Sequence, residues 1–234
     1  MLTIDIDPVA FVLGPFEVRW YGIMVALAVA VLLFVTIREL KRLNILSDLI
    51  YSLSLWGIVG GIIGARLAHV IDYWSEYIAN PRAIFGFAGL SLYGAVIGTL
   101  LAIWLYTRIK KVPFSNLLGI SDAIAVGAPL AQAIGRVGCT INGCCYGKLS
   151  PFLSFPGAVI YSPRDTIPSQ YWGVPLYPTQ IYFLLWNLIV FAVVWCMRDK
   201  LKPQGSLFLL YLCLYAVGDF GLRFLGEMTP FLIG

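Results

Sequence analysis

The sequence has little charge for its length. Asp, Glu, Lys and Arg make up 12% of the 234 residues, whereas a soluble globular domain carries about 25%. Hydrophobic residues make up 60%, and the mean hydropathy is +0.86. The missing charge excludes an ordinary water-soluble domain. The net charge of +4 gives no support for nucleic-acid binding, so the basic residues are informative mainly through their positions along the chain.

The sequence also lacks the features of a cleavable signal peptide and of internal repeats. The first sixteen residues contain Asp5, Asp7 and two prolines, whereas a signal peptide begins with a basic segment and a short apolar core. We therefore expect no cleavable leader. No internal repeat or low-complexity tract is present, and the sequence predicts a single integral membrane domain over residues 1–234.

Six apolar runs are long enough to cross a hydrocarbon core of ~30 Å at ~1.5 Å per residue. The sequence thus predicts an all-α polytopic membrane protein with about six transmembrane helices. Residues 138–177 are instead rich in Gly, Pro, Ser and aromatic residues and predict a folded loop region. Within it, residues 152–161 are too few to span a membrane and favour a strand or a re-entrant segment. The six runs cover residues 18–37, 49–73, 89–107, 119–136, 178–197 and 205–226.

Basic residues are distributed unequally between the two sides of the predicted bundle. The connections after the first, third and fifth spans carry nine: Arg38, Lys41, Arg42, Arg108, Lys110, Lys111, Arg198, Lys200 and Lys202. The other side carries four: Arg19, Arg82, Lys148 and Arg164. Short cytoplasmic loops are enriched in Lys and Arg. We therefore expect a bacterial inner-membrane protein with both termini and the 138–177 region on the outer face.

The remaining arginines fall inside or at the ends of spans, where an Arg costs ~2.5–3.5 kcal/mol on insertion scales and usually faces protein or water. Arg223 has Asp219 and Glu227 at i−4 and i+4, which is a favourable spacing for ion pairs within one helix. Arg66 shares a helix face with Asp72. For both arginines, a structural ion pair and a functional site remain alternatives.

Arg136 stands where the fourth span meets the loop region, in the segment AIGRVGCTINGCCYG over residues 133–147. Its planar guanidinium suits a lipid phosphate, whereas a helix-end Arg that snorkels to lipid headgroups is the simpler alternative. The density of glycines favours a site, because glycine permits tight turns and close backbone approach. The four glycines are Gly135, Gly138, Gly143 and Gly147.

Motifs along the whole chain resemble those of the prolipoprotein diacylglyceryl transferase family. Residues 135–147, GRVGCTINGCCYG, are similar to the family signature G-R-x-G-N-F-x-N-x-E-x-x-G. Further similarities occur in the family's order, at RWYG (19–22), GARL (64–67), GLSLYGAVIG (89–98), YPTQIY (177–182) and RFLGE (223–227).

The sequence also departs from the family pattern. Tyr93 stands where the family has His, Cys139 where the signature has its first Asn, and Cys144 where it has Glu. Asp219 occupies a position where Tyr is usual, and the family's last helix is expected to be absent after Gly234. The resemblance therefore implies a divergent member.

The resemblance implies transfer of a diacylglyceryl group from phosphatidylglycerol to the cysteine thiol of a lipoprotein precursor, without a cofactor. It assigns catalytic roles to Arg136, Arg223, Tyr21 and Tyr93. It assigns substrate or lipid binding to Arg66, Asn142, Gly138, Gly147 and Glu227. Tyr93 is a poor base at neutral pH, because an unperturbed Tyr titrates near ~10. His69, the only histidine, is more simply a core residue than a substitute base.

Cys139, Cys144 and Cys145 lie within seven residues on the side expected to be oxidising, where disulfides persist. A Cys139–Cys144 disulfide that rigidifies the loop is the favoured interpretation. A zinc site ranks lower, because the C-x4-C-C spacing is not a paired one and no His is nearby. Cys196 and Cys213 are expected to be packing residues.

Two functions remain open at this point. One is a divergent transferase whose partners are phosphatidylglycerol and a lipoprotein precursor peptide. The other is a non-catalytic, lipid-binding subunit whose partner is another membrane protein. The retained arginines, Asn142 and the glycines favour the enzyme, while the substituted His, Asn and Glu positions favour the subunit.

Overall fold

A computed structural model describes residues 2–14, 16–43, 47–79, 91–163 and 166–226. The protein is mostly helical, as predicted. Its helices are α1 (Trp20–Arg42), α2 (Ser47–Asp72), α3 (Trp74–Ala79), α4 (Leu92–Ile109), α5 (Phe114–Asn142), α6 (Thr179–Met197) and α7 (Ser206–Arg223). Its strands are β1 (Leu2–Ile4), β2 (Val9–Leu13), β3 (Phe16–Arg19) and β4 (Val159–Tyr161).

Helix length and composition confirm the polytopic membrane class. Among the described residues, five helices are long and apolar enough to cross a membrane, namely α1, α2, α5, α6 and α7. Helix α4 contributes a shorter apolar segment, Tyr93–Ile109. These five helices and α4 correspond to the six predicted spans. Helix α5 extends beyond its predicted bounds of 119–136 at both ends, since it begins at Phe114 and continues to Asn142.

The chain divides into two compact units. The larger comprises Met1–Leu43 and Leu118–Thr229. Its main core lies among α1, α5, α6 and α7, and it is built from Val35, Ala125, Val126, Val190, Val194, Leu207 and Tyr211. Small and β-branched residues dominate this core, which permits close approach of the helices.

A buried carboxylate joins the ends of α1 and α6 within the larger unit. Glu39 is 2% exposed and forms ion pairs with Arg42 at 2.8 Å and with Arg198 at 3.0 Å. The guanidinium of Arg198 also lies 3.6 Å from the ring centroid of Trp195. A buried charge is tolerated only when it is paired and hydrogen-bonded, and here two cations supply the pairing.

The region between α5 and α6 contains strand β4, and its predicted place on the outer face stays a prediction. Strand β4 pairs in parallel with β1, while β2 and β3 form a separate antiparallel pair. A second core includes residues of β1 and β4 and consists of Ile4, Val159, Tyr161, Ile167 and Leu176. Of the two alternatives for residues 152–161, the strand is observed at the C-terminal end of the segment, over Val159–Tyr161.

The smaller unit comprises Asn44–Leu117 and Pro230–Gly234, and its described part consists mainly of α2 and α4. These two helices pack through glycines spaced four apart on each. A Cβ atom added to Gly64 would lie 2.3 Å from the carbonyl oxygen of Gly94, and one added to Gly98 would lie 2.2 Å from that of Gly60. The pattern is the G-x-x-x-G packing of membrane helices.

Candidate active site at the end of helix α5

The C-terminus of α5 places the signature segment. Helix α5 ends at Asn142, and Gly143 follows with φ of +77°, a left-handed conformation that glycine adopts without cost. The amides of Gly143 and Cys144 both donate to the carbonyl of Cys139, at 2.9 and 3.2 Å. This glycine cap turns the chain back, so that Cys144 and Cys145 lie beside the last turn of the helix.

Two buried residues at the start of α6 fix the backbone of this loop. The hydroxyl of Thr179 donates to the carbonyl of Cys145 at 2.7 Å, and the side-chain amide of Gln180 donates to the carbonyl of Cys144 at 2.8 Å. Gln180 is fully buried and also contacts the hydroxyl of Tyr161 at 3.0 Å. The sequence prediction did not assign either residue to the site, although both stand in the YPTQIY motif that supported the resemblance.

The two glycines predicted to bind substrate lie at close contacts between elements. A Cβ atom added to Gly138 would lie 2.9 Å from Cβ of Met24 on α1. One added to Gly147 would lie 2.5 Å from the carbonyl oxygen of Leu225. Gly147 also forms a β-bridge with Gly226. These glycines therefore allow α1 and the segment after α7 to approach the signature loop.

A cluster of three thiols lies next to Arg136. The Sγ atoms of Cys139, Cys144 and Cys145 are within 4.8 Å of one another. All three cysteines are free thiols, and the Cys139–Cys144 disulfide stays a prediction. Hydrogen bonds from the thiols of Cys139 and Cys144, together with the adjacent Arg136 guanidinium, lower the pKa of Cys145, because each of these contacts favours the thiolate.

Arg136 is held between an aromatic ring and the thiol cluster. Its guanidinium carbon lies 4.3 Å from the ring centroid of Phe183, a cation–π contact. Its side chain donates to the thiol of Cys145. Tyr21, in the first turn of α1, lies within electrostatic reach of Arg136 and of the thiols, and Asn142 hydrogen-bonds the thiol of Cys144. The structure thus brings together Arg136, Tyr21 and Asn142 from the predicted site.

Arg223 pairs within its own helix, as its spacing predicts. Its Nε atom donates to Oδ2 of Asp219 at 2.6 Å, and the two side chains are 51% and 24% exposed. Glu227, the second predicted partner, lies outside the described residues. The pair stands at the end of α7, and the amide of Lys148 donates to the carbonyl of Leu225 just beyond it.

Arg66 and Tyr93, the two other predicted site residues, belong to the smaller unit. The guanidinium of Arg66 lies 5.2 Å from the ring centroid of Tyr77 on α3. The ring of His69 lies 4.6 Å from that of Tyr73, which fits its interpretation as a packing residue. Tyr93 is 52% exposed in the first turn of α4. The amide of Ser91, two residues earlier, donates to the carbonyl of Ala65 at 3.1 Å.

Comparison with known proteins decides the family. The family model described as "Prolipoprotein diacylglyceryl transferase" matches residues 8–229, which include every described element of the site. The chain belongs to the prolipoprotein diacylglyceryl transferase family. Membership confirms the resemblance seen in the sequence motifs and, with the apolar helices, supports a multi-pass bacterial membrane protein.

Proteins similar in sequence carry one common name. The phosphatidylglycerol–prolipoprotein diacylglyceryl transferase of Dehalococcoides mccartyi strain BAV1 is 40% identical over 236 residues, covering 100% of this chain and 87% of the relative. Proteins of the same name from Clostridioides difficile and from Nostoc sp. are 35% and 33% identical. These matches cover 93% of this chain and 83% of the Clostridioides protein, and 90% of this chain and 75% of the Nostoc protein.

Proposed function

We propose that the protein transfers the diacylglyceryl group of phosphatidylglycerol to the thiol of a lipoprotein-precursor cysteine. One observation carries the proposal: Arg136, in the family's signature segment, is held against Phe183 and beside a thiol cluster. A permanent cation on a rigid support suits the phosphodiester of an anionic lipid. The names of the relatives, which include both substrates, support the same activity.

The reaction is a displacement at carbon. The acceptor sulfur attacks the glycerol carbon of the diacylglyceryl group that bears the phosphate. A C–S bond forms, the C–O bond to the phosphate breaks, and the electron pair leaves with the oxygen as glycerol phosphate. The thiol proton leaves to solvent. The reaction therefore requires cationic or hydrogen-bond donors at the phosphate, where negative charge increases in the transition state.

Arg136 is assigned to the phosphate, because its guanidinium offers several donors in one plane. Tyr21, which lies within electrostatic reach of Arg136 and the thiols, is assigned to donate a hydrogen bond from its phenol to the same group. Arg223 is assigned to the donor lipid on the strength of the R-F-x-x-E motif, with Asp219 fixing its side chain. Gly138 and Gly147 act indirectly, by letting α1 and the segment after α7 approach.

The remaining assignments follow from the family motifs. Arg66 and Glu227 are proposed to bind substrate, and Tyr93 to donate a hydrogen bond rather than to act as a base. The protein is thus a divergent member, in which the thiol is activated by a group other than the family's His. We further propose that the site opens to the outer face of the inner membrane, as the distribution of Lys and Arg favours.

The test is release of glycerol phosphate by the purified protein in mixed micelles of detergent and phosphatidylglycerol with a lipobox peptide. We expect release with a cysteine peptide and none with a peptide that carries Ser at that position. Arg136→Ala should lower kcat by about 10²–10³, the usual cost of removing one electrostatic donor. Arg136→Lys should recover only part of the loss, since Lys lacks the planar fork.

Arg108→Lys is the matched control, because Arg108 also lies over an aromatic ring, that of Trp104 at 5.6 Å, but belongs to no site motif. It should leave release unchanged. If the wild-type protein releases no glycerol phosphate yet retains phosphatidylglycerol in an Arg136-dependent manner, the enzyme assignment is contradicted and the lipid-binding subunit is favoured.

A further inference from the structure

The three thiols beside Arg136 form a compact group that opens to one side. Cys139 comes from the last turn of α5, and Cys144 and Cys145 come from the loop that follows. Cys139 and Cys144 are half-buried, whereas Cys145 is exposed. Within the part of the chain that the structure describes, this group of three possible metal ligands includes no carboxylate or imidazole as a fourth.

The backbone is held in the conformation that brings the third thiol into the group. Cys145 has φ of +60°, a left-handed conformation that costs a residue with a side chain ~1–2 kcal/mol. The hydrogen bonds from Thr179 and Gln180 to the carbonyls of Cys145 and Cys144 maintain it. Strain of this kind concentrates at functional sites. A Cys139–Cys144 disulfide would use two of the thiols and leave the position of Cys145 unexplained.

We propose that Cys139, Cys144 and Cys145 bind one Zn²⁺ ion, whose open fourth position takes the thiolate of the acceptor cysteine. This inference rests on the proposed transferase function. Zinc–sulfur bonds are ~2.3 Å long, so the sulfur atoms of a tetrahedral site are ~3.8 Å apart. The three Sγ atoms lie within 4.8 Å of one another. Side-chain rotations that bring the sulfur atoms about 1 Å closer together would therefore complete the geometry.

Charge and ligand number both favour an open zinc site. Three thiolates and Zn²⁺ carry a net charge of −1, and the guanidinium of Arg136, in contact with Cys145, offsets it. Structural zinc sites have four protein ligands, whereas catalytic ones keep three and leave one position open. The described cluster has three ligands and an exposed side, as a catalytic site requires.

Zinc would supply the thiol activation that the substituted His position does not. Coordination to Zn²⁺ deprotonates a thiol, and the proton of the acceptor cysteine leaves to water. The zinc-bound sulfur then forms the C–S bond to the glycerol carbon, and the C–O bond breaks with its electron pair leaving on the phosphate. The thioether product is a weaker ligand than a thiolate, so it dissociates and frees the fourth position.

Metal binding is tested directly on the full-length protein, purified in detergent and reduced. We expect about one zinc per chain by elemental analysis. In the metal-free protein, Co²⁺ should give the visible absorption bands of tetrahedral thiolate coordination. Those bands should shift when a lipobox peptide with cysteine is added, but not when the peptide carries Ser, because only the thiol enters the fourth position.

Cys139→Ser, Cys144→Ser and Cys145→Ser should each weaken Zn²⁺ binding on the order of 10²-fold or more, since even outer-shell changes cost 10–100-fold. Cys213→Ser is the matched control, because Cys213 lies in α7 outside the cluster. It should bind Zn²⁺ and Co²⁺ as the wild type does. If a cluster variant fails to fold, the Co²⁺ spectra of the wild-type protein with the cysteine and Ser peptides still test the zinc site.

Several results would overturn the zinc site. The first is that the protein binds neither Zn²⁺ nor Co²⁺ at micromolar metal concentrations. The second is that the active protein contains a Cys139–Cys144 disulfide. The third is that the Co²⁺ absorption bands do not change when the cysteine peptide is added. Full glycerol phosphate release by metal-free protein would also overturn it and leave the transferase function standing. Conversely, Co²⁺ bands that respond to the thiol in a protein unable to use phosphatidylglycerol would contradict the transferase function and support the site.

Discussion

Arg223 and Asp219 form an ion pair at the end of α7, and its two members are expected to differ in importance. The pair is partly exposed, and exposed pairs contribute under ~1 kcal/mol. Asp219→Asn should therefore change the melting temperature little. Arg223→Gln should lower glycerol phosphate release by at least ~10-fold, because it removes a cation assigned to the donor lipid. Activity and thermal stability are measured side by side on both variants.

A charge exchange separates a local ion pair from a site residue. The double variant Arg223→Glu with Glu227→Arg keeps the amino-acid composition but moves the positive charge four residues along the sequence. We expect it to lose activity and lipid retention. If it matches the wild type in both, Arg223 serves only its own helix and does not belong to the site.

The residues of the site differ in how visible they are in the sequence. Arg136 could be predicted, because an Arg at a glycine-rich helix end is unusual in a span. Thr179 and Gln180 could not, because their bonds to Cys145 and Cys144 cross more than thirty residues of chain and no local pattern encodes such contacts. Cys145 could be recognised in the sequence as a third neighbouring thiol. Its position in the cluster could not be predicted, because it depends on the left-handed backbone conformation at Cys145.

Helices α2 and α4 depend on backbone contact at their glycines. Gly64→Ala should destabilise the protein by about 1–3 kcal/mol, because its Cβ atom would meet backbone atoms that cannot rotate away. Gly57→Ala on the same helix is the control, since its nearest neighbour would be Cγ2 of Thr99 at 3.4 Å, an ordinary contact. Thermal melting in detergent compares the two, and equal melting temperatures would contradict the close packing.

Helix α7 receives its N-terminal cap from another helix. Its N-cap residue is Gly205, which has no side chain to accept a bond, and Asp122 on α5 accepts from the amides of Gly205 and Phe208 at 2.7 and 2.9 Å. Asp122→Ala should cost about 2 kcal/mol, the upper range for loss of a cap.

Ser121→Ala is the control for this cap, because the Ser121 hydroxyl donates only to the carbonyl of Leu118 in its own helix. Melting of the two variants in detergent should differ clearly. A loss as large for Ser121→Ala would show that the cap is not the cause.

The existence of the long helices follows from hydrophobicity, but their partners do not. Each apolar run predicted a helix, since a membrane leaves few alternatives for the backbone. The cap from Asp122 and the ion pair of Glu39 with Arg198 join elements far apart in the chain. The limits of α5 were also missed, because an apolar run marks only the part of a helix that crosses the hydrocarbon core, and α5 continues past 119–136 at both ends.

The orientation of the whole molecule rests on the unequal distribution of Lys and Arg. We predict both termini on the outer face. An epitope tag after Gly234 should be accessible to antibody in intact spheroplasts, whereas a tag inserted after Lys111 should require permeabilised membranes. Accessibility in the reverse order would contradict the topology and place the thiol cluster in a reducing compartment.

The family and the polytopic architecture could thus be predicted from motifs and apolar runs, and the motifs also pointed to part of the candidate site. What the motifs left open was the consequence of replacing the signature Asn and Glu by Cys139 and Cys144. The structure brings these two together with Cys145 beside Arg136. The two substitutions therefore contribute to a cluster of three thiols.

Transfer to a thiol is tested most directly by the mass of the acceptor. A lipobox peptide incubated with the purified protein and phosphatidylglycerol should gain one diacylglyceryl group on its cysteine, with one glycerol phosphate released for each peptide modified. The Ser peptide should remain unmodified, and Arg136→Ala should slow both signals together. A well-folded wild-type protein that leaves the cysteine peptide at its original mass would contradict the transferase function.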